Sequence, residues 1–220
     1  MINIGLITAK QAELRPNDWA VYDQTSNKRI TFFELDELVK KTANGLLSLG
    51  LKKGDRVSML SQNSVEFLAL FFACGRVGLV AHALNWRLSS EELVNIIENG
   101  QPKVVIAQGQ FKKVSQEIQK KINFVEHWLE YDSGSDHSFE ALIERSPSSE
   151  PIVSQTIGDE DPFFILYTGG TTGVSKGAMH THKSAYFGML NQTVAERVVP
   201  TDVYMLCLLY TSPSPRDPTS

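Results

Sequence analysis

The chain has 220 residues, enough to bury about 70% of its unfolded surface and so to hold one real core. With 42% hydrophobic and 21% charged residues it fits a soluble globular protein, and 25 acidic against 21 basic side chains, a net charge of −4, argue against a nucleic-acid partner. Both cysteines, Cys74 and Cys207, sit in apolar runs and read as buried free thiols rather than a disulfide or metal pair, and the five histidines show no metal-ligand spacing.

The N-terminus lacks a basic start followed by a long apolar segment, so no secretory signal is read and a cytoplasmic protein is expected. Residues 1–17 read as an irregular or partly helical lead-in. Trp19–Tyr22 reads as a strand and Lys28–Ile30 as its hairpin return. Thr31-Phe32-Phe33-Glu34 has capping-box spacing. Leu35, Leu38, Val39, Ala43, Leu46 and Leu47 then recur at helical intervals up to Gly50. After a turn at Lys52–Asp55, Arg56–Leu60 reads as a strand. Ser64 caps a helix running to about Arg76, and Leu79–Leu84 is a second apolar strand. The Val65–Leu84 window is the most apolar in the chain, but Arg76 falls inside it, and a buried helix followed by a strand explains it better than a membrane span. Peripheral membrane contact stays open.

Ser89-Ser90-Glu91-Glu92 starts another helix, with Leu93, Ile96 and Ile97 inward and Gly100 as its stop. Val104–Ala107 reads as a buried strand. Phe111–Lys121 reads as an amphipathic helix whose Lys112, Lys113, Lys120 and Lys121 form a solvated face. Residues 123–129 read as a strand, Phe139–Glu144 as a short helix, and Ser146–Asp161 as an exposed linker. Near the end, Ser184–Arg197 reads as a helix and Val203–Leu209 as a buried strand. Strand and helix alternate with short connections, the pattern of an α/β domain with a mostly parallel sheet flanked by helices.

One stretch stands apart. Phe163–Tyr167 is a short apolar strand, and Thr168-Gly169-Gly170-Thr171-Thr172-Gly173-Val174-Ser175-Lys176-Gly177 follows it. Glycines let the backbone come close to a ligand, and successive exposed N–H groups form a nest that suits an anion. The hydroxyls of Thr168, Thr171, Thr172 and Ser175 add donors, and Lys176 adds a mobile charge. Such a loop is suited to phosphate. It is not the P-loop, in which Gly-Lys precedes Ser or Thr and leads into a helix. Here Ala178–His182 reads as extended, so the loop joins two strands and His180 and His182 share a strand face. The bland alternative is a Gly/Thr hairpin without a ligand, although such hairpins need only about two to five residues.

Tyr167-Thr168-Gly169-Gly170-Thr171-Thr172-Gly173-Val174-Ser175-Lys176-Gly177-Ala178 closely resembles the phosphate-binding signature of adenylate-forming (AMP-binding) enzymes, the acyl-CoA synthetases and their relatives. Gly169 stands where Ser is commoner and Ser175 where Pro is. The Gly169 form is similar to that of long-chain fatty-acyl-CoA ligases. Leu84-Asn85-Trp86-Arg87-Leu88 is similar to a segment common in acyl-CoA ligases, although the residues alone read rather as a structural turn whose Arg87 pairs with a carboxylate. The resemblance extends from about Asp18 to Leu209.

The resemblance implies the N-terminal part of the large subdomain of an adenylate-forming enzyme, most like a fatty-acyl-CoA synthetase and incomplete. It implies an ATP-dependent carboxylate–CoA ligase, with ATP, Mg2+ and coenzyme A as cofactors and a fatty acid as the carboxylate. Residues 168–177 would cradle the β- and γ-phosphates, Lys176 would neutralise charge in the reaction, Thr168 would be the loop ligand for magnesium, and His182 would support the loop. Alternatives are a peptide-synthetase module, a luciferase-like ligase, or a non-enzymatic phosphate-binding module. The family's adenine, ribose, hinge and C-terminal lysine segments are expected beyond this chain, which by itself is expected to be inactive. After Leu209 the family usually continues Pro-Leu-Phe-His, whereas Tyr210–Ser220 carries three prolines, three serines and two threonines. Such a segment neither continues a central strand nor buries enough surface to stay ordered. Residues 1–209 are thus expected to be a truncated N-terminal AMP-binding domain and 210–220 a disordered, non-native tail.

Overall fold

A computed structural model of the chain describes residues 2–24, 26–136, 138–168 and 175–204. It divides into two units, Met1–Tyr186 and Phe187–Ser220. The first begins with a 3-10 turn at Ile4–Leu6 and α1 (Ile7–Leu14), then the hairpin β1 (Trp19–Asp23) and β2 (Lys28–Thr31). Next comes α2 (Phe32–Ser48), whose start is the expected capping box: Thr31 Oγ1 accepts from the Glu34 N–H and the Glu34 carboxylate accepts from the Thr31 N–H. Local pairs of this kind form from sequence spacing alone, since each satisfies an otherwise orphaned helix N–H.

The main sheet follows: β3 (Arg56–Leu60), α3 (Val65–Val77), β4 (Val80–Leu84), α4 (Ser90–Gly100), β5 (Val104–Gln108), α5 (Lys112–Gln119), β6 (His127–Tyr131), α6 (Phe139–Arg145), β7 (Pro162–Thr168) and β8 (Lys176–Thr181). The spatial order is β6-β5-β3-β4-β7-β8. Every neighbouring pair is parallel except β7 and β8. Both faces are covered, as a parallel sheet requires. On β3, Val57 and Met59 join the core beneath α2 and α3, while Leu60 joins the core beneath α4 and α5. The Val65–Leu84 window is indeed a buried helix and strand, with Gly78 at φ +75° ending α3 in the left-handed conformation that glycine tolerates best. No helix among the described residues is long and apolar enough to cross a membrane. Cys74 is a buried free thiol whose pKa burial pushes up; Cys207 lies outside the described residues.

Two expectations change. Residues 146–161 are not a free linker but a strap laid on α2 and α3. Ser146, Pro151 and Ile157 are buried, Asn44 Nδ2 donates to the carbonyls of Pro147 and Ser149, and Lys53 Nζ donates to that of Thr156. Glu150 on the strap pairs with Arg76, which also pairs with Asp36 of α2 inside the molecule. The segment is held by its own backbone carbonyls, which accept from Asn44 and Lys53, and by the Glu150 and Asp161 carboxylates, so it needs few apolar side chains. The last helix, α7 (His182–Ala195), starts two residues early, because Thr181 caps it: Thr181 Oγ1 accepts from the Ser184 N–H at 3.1 Å and Ser184 Oγ from the Thr181 N–H at 2.9 Å. Within the second unit, Tyr204 Oη donates to Glu196, and Val203 is 95% exposed with no strand at 203–204. The remainder of the expected strand, and all of 210–220, lie outside the described residues.

Candidate phosphate-binding site

Five parallel strands end at one edge of the sheet, where ligands of open α/β folds bind. The Gly/Thr loop leaves β7 at that edge and returns as β8, so it joins two strands as expected. Thr168 and Lys176 are cross-strand partners at its mouth, and both are exposed. The hairpin thereby puts a hydroxyl and an ammonium opposite each other, a pairing that sequence spacing alone does not reveal. Ser175 is half-buried beside them, and Gly169, Gly170, Thr171, Thr172, Gly173 and Val174 lie outside the described residues. Gly177 is needed for a local reason: a Cβ there would meet the Tyr167 ring at 2.9 Å.

The strand carrying the loop is braced from below. Tyr167 Oη donates to Asn99 Oδ1 of α4 at 2.5 Å, and its ring lies 5.4 Å from that of His82. His82 sits on β4 beside Ser58 on β3, with Ser58 Oγ 2.7 Å from His82 Nδ1. The ring fits because Gly100 has no side chain; a Cβ there would come within 2.5 Å of it. Burial, and then the charge of Arg56, lower His82 to about 4, so the ring is neutral. Sequence reading missed this brace, for Asn99 and Tyr167 are 68 positions apart and no local pattern links them.

The second family-like segment reaches the same edge. Asn85-Trp86-Arg87 follows β4, which is paired with β7. Asn85 Oδ1 accepts from the Arg87 N–H at 3.1 Å, closing a tight turn. The expected carboxylate partner is replaced by an aromatic one: the Arg87 guanidinium lies 4.9 Å above the Trp86 ring, and Trp86 stacks on Phe111 at 6.0 Å. Such a cation–ring contact holds the guanidinium without neutralising it.

His182 is not where the sequence placed it. It is the first residue of α7 rather than part of β8, so it does not alternate with His180. It lies at the base of the hairpin, roughly 20 Å along the strand from Lys176, and it is fully buried. Its ring stacks on Phe163, while that of His180 stacks on Phe164. His182 therefore supports the foot of the hairpin and not the loop itself.

Comparison with known proteins bears on this edge of the sheet. A model of the family described as "AMP-binding enzyme" matches residues 8–211. The long-chain-fatty-acid–CoA ligase FadD13 of Mycobacterium tuberculosis is 34% identical over 189 residues, 84% of this chain and 36% of that protein. An inhibitor-bound N-terminal domain of FACL13 from Mycobacterium tuberculosis superposes with a TM-score of 0.77 at 34% identity, covering 84% of this chain and 46% of that one. ATP-bound MatB from Rhodopseudomonas palustris gives a TM-score of 0.77 at 28% identity, covering 92% and 39%. The chain spans about a third of the length of the curated relatives it matches.

Proposed function

The chain belongs to the AMP-binding enzyme family, and from that premise we propose that its residues form the phosphate-holding part of an ATP-dependent carboxylate–CoA ligase. The observation that carries this reading is the Thr168–Lys176 pair at the mouth of a Gly/Thr loop, on the sheet edge where α/β folds take ligands. A substrate carboxylate oxygen attacks the α-phosphorus of ATP, the bond to the bridging oxygen breaks, and pyrophosphate leaves. The thiolate of coenzyme A then attacks the acyl carbonyl and AMP departs. Catalysis of this kind is mostly positioning and neutralisation of growing negative charge. Lys176 supplies the charge, Thr168 and Ser175 supply hydroxyls, and the loop backbone supplies N–H groups. The Tyr167–Asn99 bond and the His82–Ser58 pair keep the strand that carries them in place.

Thr168 offers one exposed hard oxygen for magnesium, and no cluster of His, Cys, Asp or Glu able to hold a metal occurs among the described residues. Mg2+ is typically held by one or two carboxylates together with substrate phosphates and water, so the Thr168 hydroxyl fits as one ligand beside the phosphate oxygens. Thr168 would hold it, and it would neutralise phosphate charge.

The relatives' names favour a CoA ligase over other adenylating enzymes, and the FadD13 likeness favours a fatty acid as the carboxylate. The experiment is carboxylate-dependent exchange of pyrophosphate into ATP, in a polypeptide of family length carrying these residues, across a panel of fatty, aromatic and amino acids. Exchange with fatty acids, followed by acyl-CoA formation, supports the reading. Exchange with amino acids only would replace it by a peptide-synthetase module.

A further inference from the structure

The N-terminal segment makes contacts that its sequence does not announce. Residues 2–7 precede the stretch matched by the family model, which begins at residue 8. Yet the Ile2 N–H donates to Asp159 Oδ1, and the Ile4 N–H donates to His182 Nδ1 at 3.1 Å, across 157 and 178 positions. Gly5 lies against α3 so closely that a Cβ would come within 2.0 Å of the Arg76 nitrogen. Ile4 is 2% exposed. The segment is thus seated on the foot of the β7–β8 hairpin, where its N–H groups meet two titratable acceptors, the Asp159 carboxylate at Ile2 and the His182 ring at Ile4.

That contact has a definite protonation state. An Nδ1 that accepts a backbone N–H carries no proton, so the neutral ring bears its proton on Nε2. Nε2 is buried and has no hydrogen-bond partner among the described residues. A second proton would put N–H against N–H at Ile4 and leave a buried charge whose Nε2–H is still unmet. Charged groups facing the ring are Asp161 and Asp159, which favour the cation, and Lys53, which opposes it. Lys53 is itself paired with Asp161 at 2.6 Å, and Lys183 with Glu160 at 2.7 Å, while the Asp159 carboxylate accepts the Ile2 N–H of the segment itself. One face of the ring stacks on Phe163, with centroids 5.0 Å apart.

We propose that residues 2–6 are a proton-sensitive latch on the foot of the loop-bearing hairpin, held shut by neutral His182 and released when His182 is protonated. Burial lowers the affinity of His182 for a proton in the latched state, so acid favours the open one. The latch stands apart from whatever the loop binds, and its test does not involve ATP.

The test is hydrogen exchange on the full 220-residue chain, with each rate normalised to that of an unstructured amide at the same pH. Protection of the Ile4 amide should fall about tenfold between about pH 8 and about pH 5, while amides of β3 and β5 keep theirs. His182→Asn retains an acceptor near the Nδ1 position but does not titrate, and its Ile4 protection should be flat across that range. His182→Phe retains a ring against Phe163 but has no acceptor, and should be open throughout. If the variants do not fold, NMR of the unaltered chain decides, since the Ile4 amide and the His182 ring must then titrate with one midpoint. Ile4 protection that is constant with pH, a fall that persists in full in His182→Asn, or a His182 titration to which Ile4 does not respond would overturn the latch.

Discussion

Ser58 on β3 and His82 on β4 face each other across the centre of the parallel sheet, with Ser58 Oγ 2.7 Å from His82 Nδ1 and both side chains shut off from water. The Nε2 of the same ring has no hydrogen-bond partner among the described residues. A cation there would be desolvated, beside Arg56, and His82 is accordingly pushed down to about 4.

This pair makes the fold sensitive to acid. In the unfolded chain His82 takes its proton near 6.5, its ordinary value, while the folded chain resists until about 4. Between those values the unfolded state binds more protons, so stability is full above about pH 6.5 and declines as pH falls. The loss expected from this residue is at most about 3 kcal/mol by pH 4. Urea unfolding at a series of pH values checks it. His82→Asn should remove most of the slope in this window, leaving the smaller share due to His182. An unchanged slope in the variant would show that other groups carry the acid sensitivity.

The ion pairs of Arg76 allow a contrast by burial. Its side chain is 2% exposed, as is nearly that of Asp36 at 7%, whereas Glu150 is 58% exposed. Arg76→Met leaves buried Asp36 with only Lys40 at 3.1 Å and the Thr8 hydroxyl at 2.9 Å, so the expected cost lies below the about 3–5 kcal/mol of a wholly unpaired buried charge but well above that of a surface pair. Glu150→Gln removes a partner that water replaces and should cost less than about 1 kcal/mol. Chemical denaturation of the two variants measures both. Equal losses would mean that the strap contact matters as much as the buried pair.

Lys176 should matter for chemistry and not for folding. It is exposed at the mouth of the loop, opposite Thr168. In a polypeptide of family length, Lys176→Ala should lower kcat/KM for adenylation roughly tenfold to a hundredfold, because a charge-assisted phosphate contact is worth about 1.5–3 kcal/mol. The unfolding midpoint should not move. Normal ATP saturation and an unchanged rate would reduce Lys176 to a hairpin residue.

The 220-residue chain by itself should give no carboxylate-dependent pyrophosphate exchange, since it spans only about a third of the relatives it matches. Exchange clearly above a heat-killed control would show that the described residues contain a complete adenylation site.

Much of the local structure was legible in the residues. Thr31 with Glu34, and Ser89 with Glu92, form capping boxes because both partners lie within one turn. Val104–Gln108 is a strand buried along almost its whole length, and its apolar run shows this. The Gly/Thr stretch announced a loop between strands for the same reason, as its composition forbids a packed helix. The strap at 146–161 was not legible, because its backbone carbonyls and the Glu150 carboxylate meet Asn44, Lys53 and Arg76, about a hundred positions or fewer away but on other elements. His182 was misplaced by one residue of strand, since the decisive contact is the Thr181–Ser184 cap and helix starts compete with strand ends over such short distances.

The amino-acid sequence by itself determined the α/β character, most of the helices and strands, the Gly/Thr loop joining two strands and the family it resembles, since each rests on periodicity or on contiguous residues. Only the tertiary structure decided that Thr168 faces Lys176, that the Asn85–Arg87 turn reaches the same edge as the loop, that His82 and Asn99 brace Tyr167, and that residues 2–6 sit on His182. The physical reason is the order of the strands. β4 lies between β3 and β7, so residues about 80 positions apart in the chain become hydrogen-bonded neighbours. No short-range pattern encodes that order, because it is set by which faces of the helices the sheet must bury on each side.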